Sequence, residues 1–263
     1  KIMIRVFVSG ATGNVGSQLV KAILKSEDLE LAGGFCAEEG VELGRAKNGE
    51  PVYGSSDLAK ALEVSKADVV VDFTSPRIIM ENLKIYAKAK IDAVIGTTGF
   101  TEKMLDEARE LASGSKVRWA IISNFGLGIN LLIDFLKKAR KHYPYVSVVD
   151  RHPAKMANAP SGTAVTLARV LSEGPEGSAQ SAEVIPGVLG GKEQGVQILS
   201  QRLSYPGAYS EHEVLLGRSD EIIRINVQDF SSLVYVDGVF LALRKIGGFP
   251  SGTLINDFSV FSD

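Results

Sequence analysis

Apolar runs and polar breaks alternate along this chain in two rhythms. Ile2 to Val8 is a β-branched and aromatic run that ends in Ser9-Gly10-Ala11-Thr12-Gly13-Asn14-Val15-Gly16. Immediately after it, Leu19, Val20, Ile23 and Leu24 recur at helical spacing, so the pattern predicts strand, glycine turn, helix. Glu30 to Phe35 predicts a second strand, and Ser56 to Leu62 a short capped helix. Between them, residues 40 to 56 are glycine-rich and polar, which predicts a loop. The alternation then repeats. Ala67 to Thr74, Ala93 to Ile95 and Val117 to Ile122 read as strands, and Ile78 to Lys88 and Glu102 to Ala112 as the helices between them. Strands and helices in strict alternation predict a doubly wound parallel sheet of the Rossmann-like α/β class.

The second half changes character. A short apolar run, Val146 to Val149, leads into the polar stretch Asp150 to Ala164, and Ala164 to Leu171 predicts a helix. The span from Glu173 to Gly195 is rich in glycine and reads as loop. Val196 to Ser200, Glu213 to Leu216 and Glu221 to Val227 are strands by alternation or β-branching. This half is expected to be an α+β domain with an open mixed sheet.

Composition narrows the function classes. The 263 residues are 45% hydrophobic and 23% charged, enough for one large or two modest cores. A net charge of -2 with mixed signs gives no electrostatic footprint for nucleic acid or an anionic membrane, so a small-molecule partner is expected. The single cysteine, Cys36, excludes a disulfide framework and any multi-thiolate metal site; three scattered histidines without paired carboxylates make no case for a metal. No apolar run approaches the roughly 20 residues of a spanning helix. The N-terminal residues carry no signal-like pattern, and a cytoplasmic protein is expected.

The chemistry sits at strand ends. The G-x-x-G-x-x-G spacing of Gly10, Gly13 and Gly16 is a relative of the dinucleotide fingerprint: one glycine for the turn, one for approach of the backbone to a pyrophosphate, one for helix packing. An acidic ribose-binding side chain belongs about 20 residues later. Cys36-Ala37 stand there instead, Glu38 and Glu39 come slightly late, and no arginine marks a 2′-phosphate, so NADH and NADPH both remain open. Further on, Pro160-Ser161-Gly162-Thr163 opens a helix, whose N–H groups and dipole suit a carboxylate, with His152 and Lys155 upstream.

These segments together resemble the 4-hydroxy-tetrahydrodipicolinate reductase family, also called dihydrodipicolinate reductase, of lysine and diaminopimelate biosynthesis. Gly-Ala-Thr-Gly-x-x-Gly, Asp72-Phe73-Thr74, Gly96-Thr97-Thr98-Gly99-Phe100, Asn124 to Asn130, Pro160 to Ala164 and Glu211-His212 fall in the family's order over nearly the whole chain. The resemblance implies an NADPH- or NADH-dependent oxidoreductase that delivers a hydride and a proton to a small cyclic unsaturated dicarboxylate. It implies a cofactor domain of residues 1–125 plus 237–263, with Ser231 to Lys245 as a returning helix, and a substrate and oligomerisation domain of residues 126–236, assembling as a homotetramer. Cofactor contacts are expected from Gly10, Ala11, Thr12, Gly13, Asn14, Val15, Phe73, Thr74, Gly96, Thr97, Thr98, Ser123, Asn124 and Phe125. Substrate contacts are expected from Pro153, Ser161, Gly162 and Thr163.

The family places His-His-x-x-x-Lys before Asp-Ala-Pro-Ser-Gly-Thr. Aligned without gaps from Thr163 backward, the first histidine is His152, but the second falls on Pro153, the lysine on Met156 and the aspartate on Asn158. Imidazole titrates near pH 6.5, which suits His152 to proton donation. Lys155 is expected to supply the missing cation through a one-residue shift. Arg151 and Arg202 are further candidates for a carboxylate. These departures leave an alternative open: a divergent member acting on another imine, keto or amino acid, or a silent dinucleotide-binding protein.

Overall fold

A computed structural model of the chain describes residues 3–156, 158–175, 177, 181–203 and 210–262. Ile2 and Ala157, within stretches discussed above, lie outside the described residues, as do parts of the span from Glu173 to Gly195. The chain divides into two units, Lys1–Gly126 with Tyr235–Asp263, and Leu127–Val234.

The first unit is built on an eight-stranded sheet. In chain order it contains β1 (Ile4–Ser9), α1 (Gly16–Lys25), β2 (Leu29–Phe35), β3 (Glu42–Arg45), β4 (Pro51–Ser55), α2 (Leu58–Ser65), β5 (Val69–Asp72), α3 (Ile79–Ala89), β6 (Asp92–Ile95), α4 (Glu102–Ser115) and β7 (Trp119–Ile121). The spatial order β7-β6-β5-β1-β2-β4 is parallel throughout. Every residue of β5 is buried, as a central strand covered by helices on both faces requires. Asp57 and Thr101 cap α2 and α4 through Lys60 N and Met104 N, which fixes where those helices start. Parallel strands share one carboxyl edge, so the ends of β1, β5, β6 and β7 bring Gly10, Phe73, Gly96 and Ser123 to the same rim.

The expected loop at residues 40 to 56 is instead a hairpin: β3 pairs antiparallel with β4, and β4 adds parallel to β2. Its strands are short and mostly exposed, with only Val52 and Gly54 of β4 turned inward, so neither hydrophobic run nor strong alternation announces it. At the end of unit 2 a 3-10 turn at Ser232–Tyr235 leads the chain back into this unit, which it completes with the helix Val236–Lys245 and then a two-residue strand, Leu254–Ile255, which joins the sheet beside β7. An Arg244–Asp28 pair, two contacts of 2.9 Å, ties the returning helix to the start of β2.

The second unit contains α5 (Leu127–Ala139), β8 (Tyr145–Pro153), α6 (Gly162–Ser172), β9 (Gly191–Glu193), β10 (Val196–Leu203), β11 (Ser210–Arg218) and β12 (Glu221–Asp229). Its five-stranded mixed sheet runs β12-β11-β8-β10-β9, with β8 and β10 parallel and the other neighbours antiparallel. β9 corrects the reading of the whole span to Gly195 as loop; three residues with no buried side chain leave no pattern in the sequence. β8 also runs four residues past Val149, so His152 lies on a strand rather than in a loop.

Strand register decides what β8 presents. Val148, Asp150 and His152 share one face, beside Ile198, Ser200 and Arg202 of β10, and His212 and Val214 of β11 pair with Asp150 and Val148. On this face Val148, Ile198, Val214 and Leu216 pack with Leu167 and Leu171 of α6 and Leu132 and Leu136 of α5. Arg151 takes the opposite face, where it pairs with Glu211 (2.7 Å) and Glu213 (3.1 Å). The inner face is therefore apolar at one end and ionisable at the other. Among the described residues no helix is long and apolar enough to cross a membrane.

Candidate active site

In the first unit the glycine turn is held by backbone. Gly10 N and Ala11 N both donate to Phe35 O, at 2.8 and 3.0 Å, and Gly13 N donates to Gly10 O. Gly10 has φ +83°, and a Cβ there would lie 2.4 Å from Phe73 O; one on Gly16 would lie 2.0 Å from Gly10 O. Only glycine permits this approach of turn to helix. Val15 provides no side-chain cap to α1, so the positive end of that helix faces outward beside exposed Thr12, Gly13 and Asn14, while Ala11 is buried. A turn of this shape at a helix N-terminus can accept an anion such as a pyrophosphate.

Acidic groups border the turn. Thr12 Oγ1 donates to Glu38 Oε2 at 3.1 Å. Glu39 accepts from Ser56 N (2.6 Å), Ser56 Oγ (2.8 Å) and Ser55 Oγ (3.1 Å), and these bonds, the backbone one first, hold it below the usual carboxylate range. Cys36 is buried with its thiol donating to Glu38 O, and burial raises that thiol above its ordinary value; it is a packed strand-end residue.

Beneath the rim lies a carboxylate hub. Asp72 is fully buried; its Oδ1 accepts from Thr74 Oγ1 (2.7 Å), Thr97 Oγ1 (2.8 Å) and Thr74 N (3.0 Å), and its Oδ2 from Tyr86 OH (2.6 Å) and Asn82 Nδ2 (3.0 Å). Burial first, and the Asp72 charge second, hold the Tyr86 phenol well above its ordinary value, so it remains a donor. Thr97 is thus turned inward, fixing the ends of β5 and β6, while Gly96 accommodates the Phe73 ring, which a Cβ would meet at 2.1 Å. Thr98 and Ser123 are exposed, Asn124 Oδ1 accepts from Gly126 N (2.7 Å), and buried Phe125 packs its ring 5.9 Å from that of Phe73.

In the second unit Asp150 is the centre. It is fully buried, and its Oδ2 accepts from Ser200 Oγ (3.0 Å), Ser161 N (3.1 Å) and the Arg202 guanidinium (3.1 and 3.2 Å). Its Oδ1 lies 2.7 Å from His152 Nε2 and 3.5 Å from His212 Nε2. The 2.7 Å contact is close but off-axis, so neither Asp150 Oδ1 nor His152 Nε2 has a well-directed hydrogen bond. Burial opposes the Asp150 charge, but the close His152 imidazole and hydrogen bonding from Ser161 outweigh it and hold the carboxyl well below its usual range. His212 is pushed down to about 4 by burial, against the opposing pull of Asp150, and is neutral at physiological pH.

Asp150, His152 and His212 also offer three ligating atoms within 4.8 Å of one another. A divalent cation among them would stand beside the Arg202 cation already bound to the same carboxylate, and the like charges oppose it. The arrangement suits proton chemistry better.

Ser161 caps α6 through Ala164 N (3.1 Å) and sits 3.1 Å from His212 Nε2. Its own N–H is taken by Asp150, so Ser161 builds the turn, and Gly162, which is exposed, and Thr163 form the open end of the helix. Pro153 ends β8, and its carbonyl accepts from Met156 N (3.0 Å). Lys155 is exposed within that turn and has no partner among the described residues.

Comparison with known proteins decides the family. The profile described as dihydrodipicolinate reductase, N-terminus, matches residues 4–125, and that for the C-terminus matches residues 128–257. The chain belongs to the dihydrodipicolinate reductase family. A 4-hydroxy-tetrahydrodipicolinate reductase of Listeria innocua is 37% identical over 252 residues, 92% of this chain and 94% of its own. One from Desulfitobacterium hafniense is 36% identical over 251 residues, 92% of this chain and 93% of its own. The dipicolinate-bound dihydrodipicolinate reductase of Paenisporosarcina sp. TG-14 superposes with a TM-score of 0.81 at 24% identity, covering 98% of this chain and 99% of that one, which shows the shared fold.

Within the family frame, the assembly of the polar network escaped sequence reasoning. Asp150, Ser200 and Arg202 join His152 and His212 in one network only because β8, β10 and β11 are neighbours in a particular register, which no local pattern reveals. Alternation of β8 does carry one signal: Asp150 and His152 stand two apart, hence on one face. The same parity removes Arg151 from that face.

Proposed function

We propose that this protein is a 4-hydroxy-tetrahydrodipicolinate reductase of lysine and diaminopimelate biosynthesis, using NADH in preference to NADPH. The observation that carries the reading is the placement of His152 and Asp150 on one sheet face with the N-terminus of α6, in a chain that also builds the glycine cradle. When bound, the reduced nicotinamide supplies the hydride. The turn from Gly10 to Val15, whose Gly10, Ala11 and Gly13 N–H groups are bonded to backbone carbonyls, would hold the pyrophosphate at the positive end of the α1 dipole, and the Asp72 hub fixes Phe73, Thr74, Gly96 and Thr97 at the rim. Glu38, which accepts from Thr12, would accept from the hydroxyls of an unphosphorylated adenosine ribose, whereas a 2′-phosphate would meet its negative charge.

On the second unit, Gly162 and Thr163 present the helix N-terminus to a substrate carboxylate, and the Arg202 guanidinium adds positive charge. Asp150 faces His152 Nε2, so Nδ1 is the nitrogen from which a proton passes to the reduced ring. Lys155 is the exposed cation of the turn that follows β8. We further propose a homo-oligomer assembled through the outward face of the unit 2 sheet, where Val149, Leu215 and exposed Ile222 surround the Arg151–Glu211–Glu213 lattice; light scattering measures it directly.

Turnover tests the function. Purified protein with NADH and freshly generated substrate is expected to oxidise the cofactor, and His152→Asn to lose about 10²-fold or more in kcat with cofactor affinity retained. Cofactor binding without turnover in the unaltered protein would remove the substrate assignment.

A further inference from the structure

Asp150 treats its two oxygens differently. Oδ2 takes four contacts, from Ser161 N, Ser200 Oγ and both Arg202 terminal nitrogens, between 3.0 and 3.2 Å. Oδ1 takes none that is well directed, although the carboxylate is fully buried. A carboxylate retained only to hold strands together would satisfy both oxygens, because an unpaired buried acceptor is unfavourable. The atom Oδ1 does face is His152 Nε2, 2.7 Å away. His212 flanks the pair with its ring edge-on to that of His152, centroids 5.3 Å apart, and its Nε2 lies 3.1 Å from Ser161 Oγ.

We propose that Asp150 is a positioning residue for the hydride-transfer reaction: anchored through Oδ2, it uses Oδ1 to hold the Nε2–H form of His152, so that Nδ1 carries the proton the substrate receives. The inference rests on the reading of His152 as proton donor. The anchoring explains why the carboxylate stays ionised in a buried place: Arg202 supplies the compensating cation and Ser161 and Ser200 supply hydrogen bonds. The off-axis geometry of the Oδ1 contact is compatible with this role, since catalytic hydrogen bonds are often poorly aligned without substrate and tighten in its complex. Each proton stays accounted for: Nε2–H remains on the ring, Nδ1–H passes to the substrate, and solvent restores it afterwards. An uncharged amide in place of Asp150 keeps the volume but turns a donor toward Nε2, which forces the proton to the other nitrogen and leaves the ring with no proton it can give without becoming an anion.

The test is a double-mutant cycle with Asp150→Asn and His152→Asn, joined to nitrogen NMR of the protein labelled at histidine; three histidines make assignment tractable. Asp150→Asn is expected to lower kcat about 100-fold, to change KM for substrate less than threefold, and to leave NADH affinity, which reports folding of the first unit, unchanged. In the His152→Asn background it should lower kcat no further. The spectrum should show His152 protonated at Nε2 in the unaltered protein and at Nδ1 in Asp150→Asn. An equal loss of kcat in both backgrounds would assign Asp150 a structural role and overturn the proposal, as would an unmoved tautomer. Were His152→Asn fully active, the proton-donor reading itself would fall, and the tautomer shift would then report a positioning contact without a catalytic purpose.

Discussion

Gly16→Ala puts the cofactor cradle to its hardest test. The new Cβ would lie 2.0 Å from Gly10 O and 2.7 Å from Gly10 C, both backbone atoms that no rotamer change can move. Ordinary contact begins at 3.4 Å, so α1 and the turn must separate by about 1.4 Å. Overpacking of this kind costs about 2 kcal/mol, which for a unit of this size lowers Tm by about 4–8 °C. The separation would also displace the turn proposed to meet the pyrophosphate, and a misplacement of about 1 Å can cost 100-fold in rate. The assay pairs calorimetric melting with NADH titration. Gly114→Ala is the control: it lies in α4 with nothing within 4 Å of the added methyl, and helix propensity favours alanine by about 1 kcal/mol. Unchanged Tm and unchanged NADH affinity in Gly16→Ala would refute the close-approach argument.

Other outcomes follow from the same geometry. Removing the Glu38 charge by Glu38→Gln relieves about 1–2 kcal/mol of repulsion toward a 2′-phosphate, so the ratio of kcat/KM for NADPH over NADH should rise about tenfold; an unmoved ratio would take Glu38 out of cofactor choice. His212, folded near 4 against an ordinary 6.5, binds a proton more readily when unfolded. Stability is therefore complete above pH 6.5 and falls as pH drops toward 4, by about 3 kcal/mol, with Asp150 adding a further loss below about pH 4. Denaturant titrations across that range should show the slope, and His212→Gln should flatten it between pH 6.5 and 4. Met156→Lys returns the family's cation to its aligned position and should raise kcat/KM for 4-hydroxy-tetrahydrodipicolinate about tenfold; no gain would mean that Arg202 or a reorganised Lys155 already fills that need.

Much of the first unit was legible because its signals are local. Strand, glycine turn and helix follow one another within residues 4 to 25, and β5 and β6 are short buried runs between helices of clear period. The β3–β4 hairpin was hidden because an exposed edge strand needs little apolar content, and β9 because three polar residues carry no pattern. In the second unit, Pro153 masked the last residues of β8: a proline at the strand end reads as loop, although here it pairs in register with Leu203. The site was half legible. His152 and the α6 N-terminus stand out by residue type and spacing, whereas the anchoring of Asp150 by Ser200 and Arg202 depends on pairing across about 50 residues. Residue type also says little about direction: Ser161 and Thr97 sit in motif positions, yet their hydroxyls are turned inward to cap α6 and to bind Asp72.

Isotope transfer tests the central claim most directly. With NADH deuterated at the transferable position and 4-hydroxy-tetrahydrodipicolinate as substrate, mass spectrometry of the product is expected to show one deuterium on a ring carbon for each cofactor oxidised, and the proton from solvent. Oxidation of the cofactor without deuterium in the product, or no oxidation at all, would contradict the assignment of this chain as that reductase.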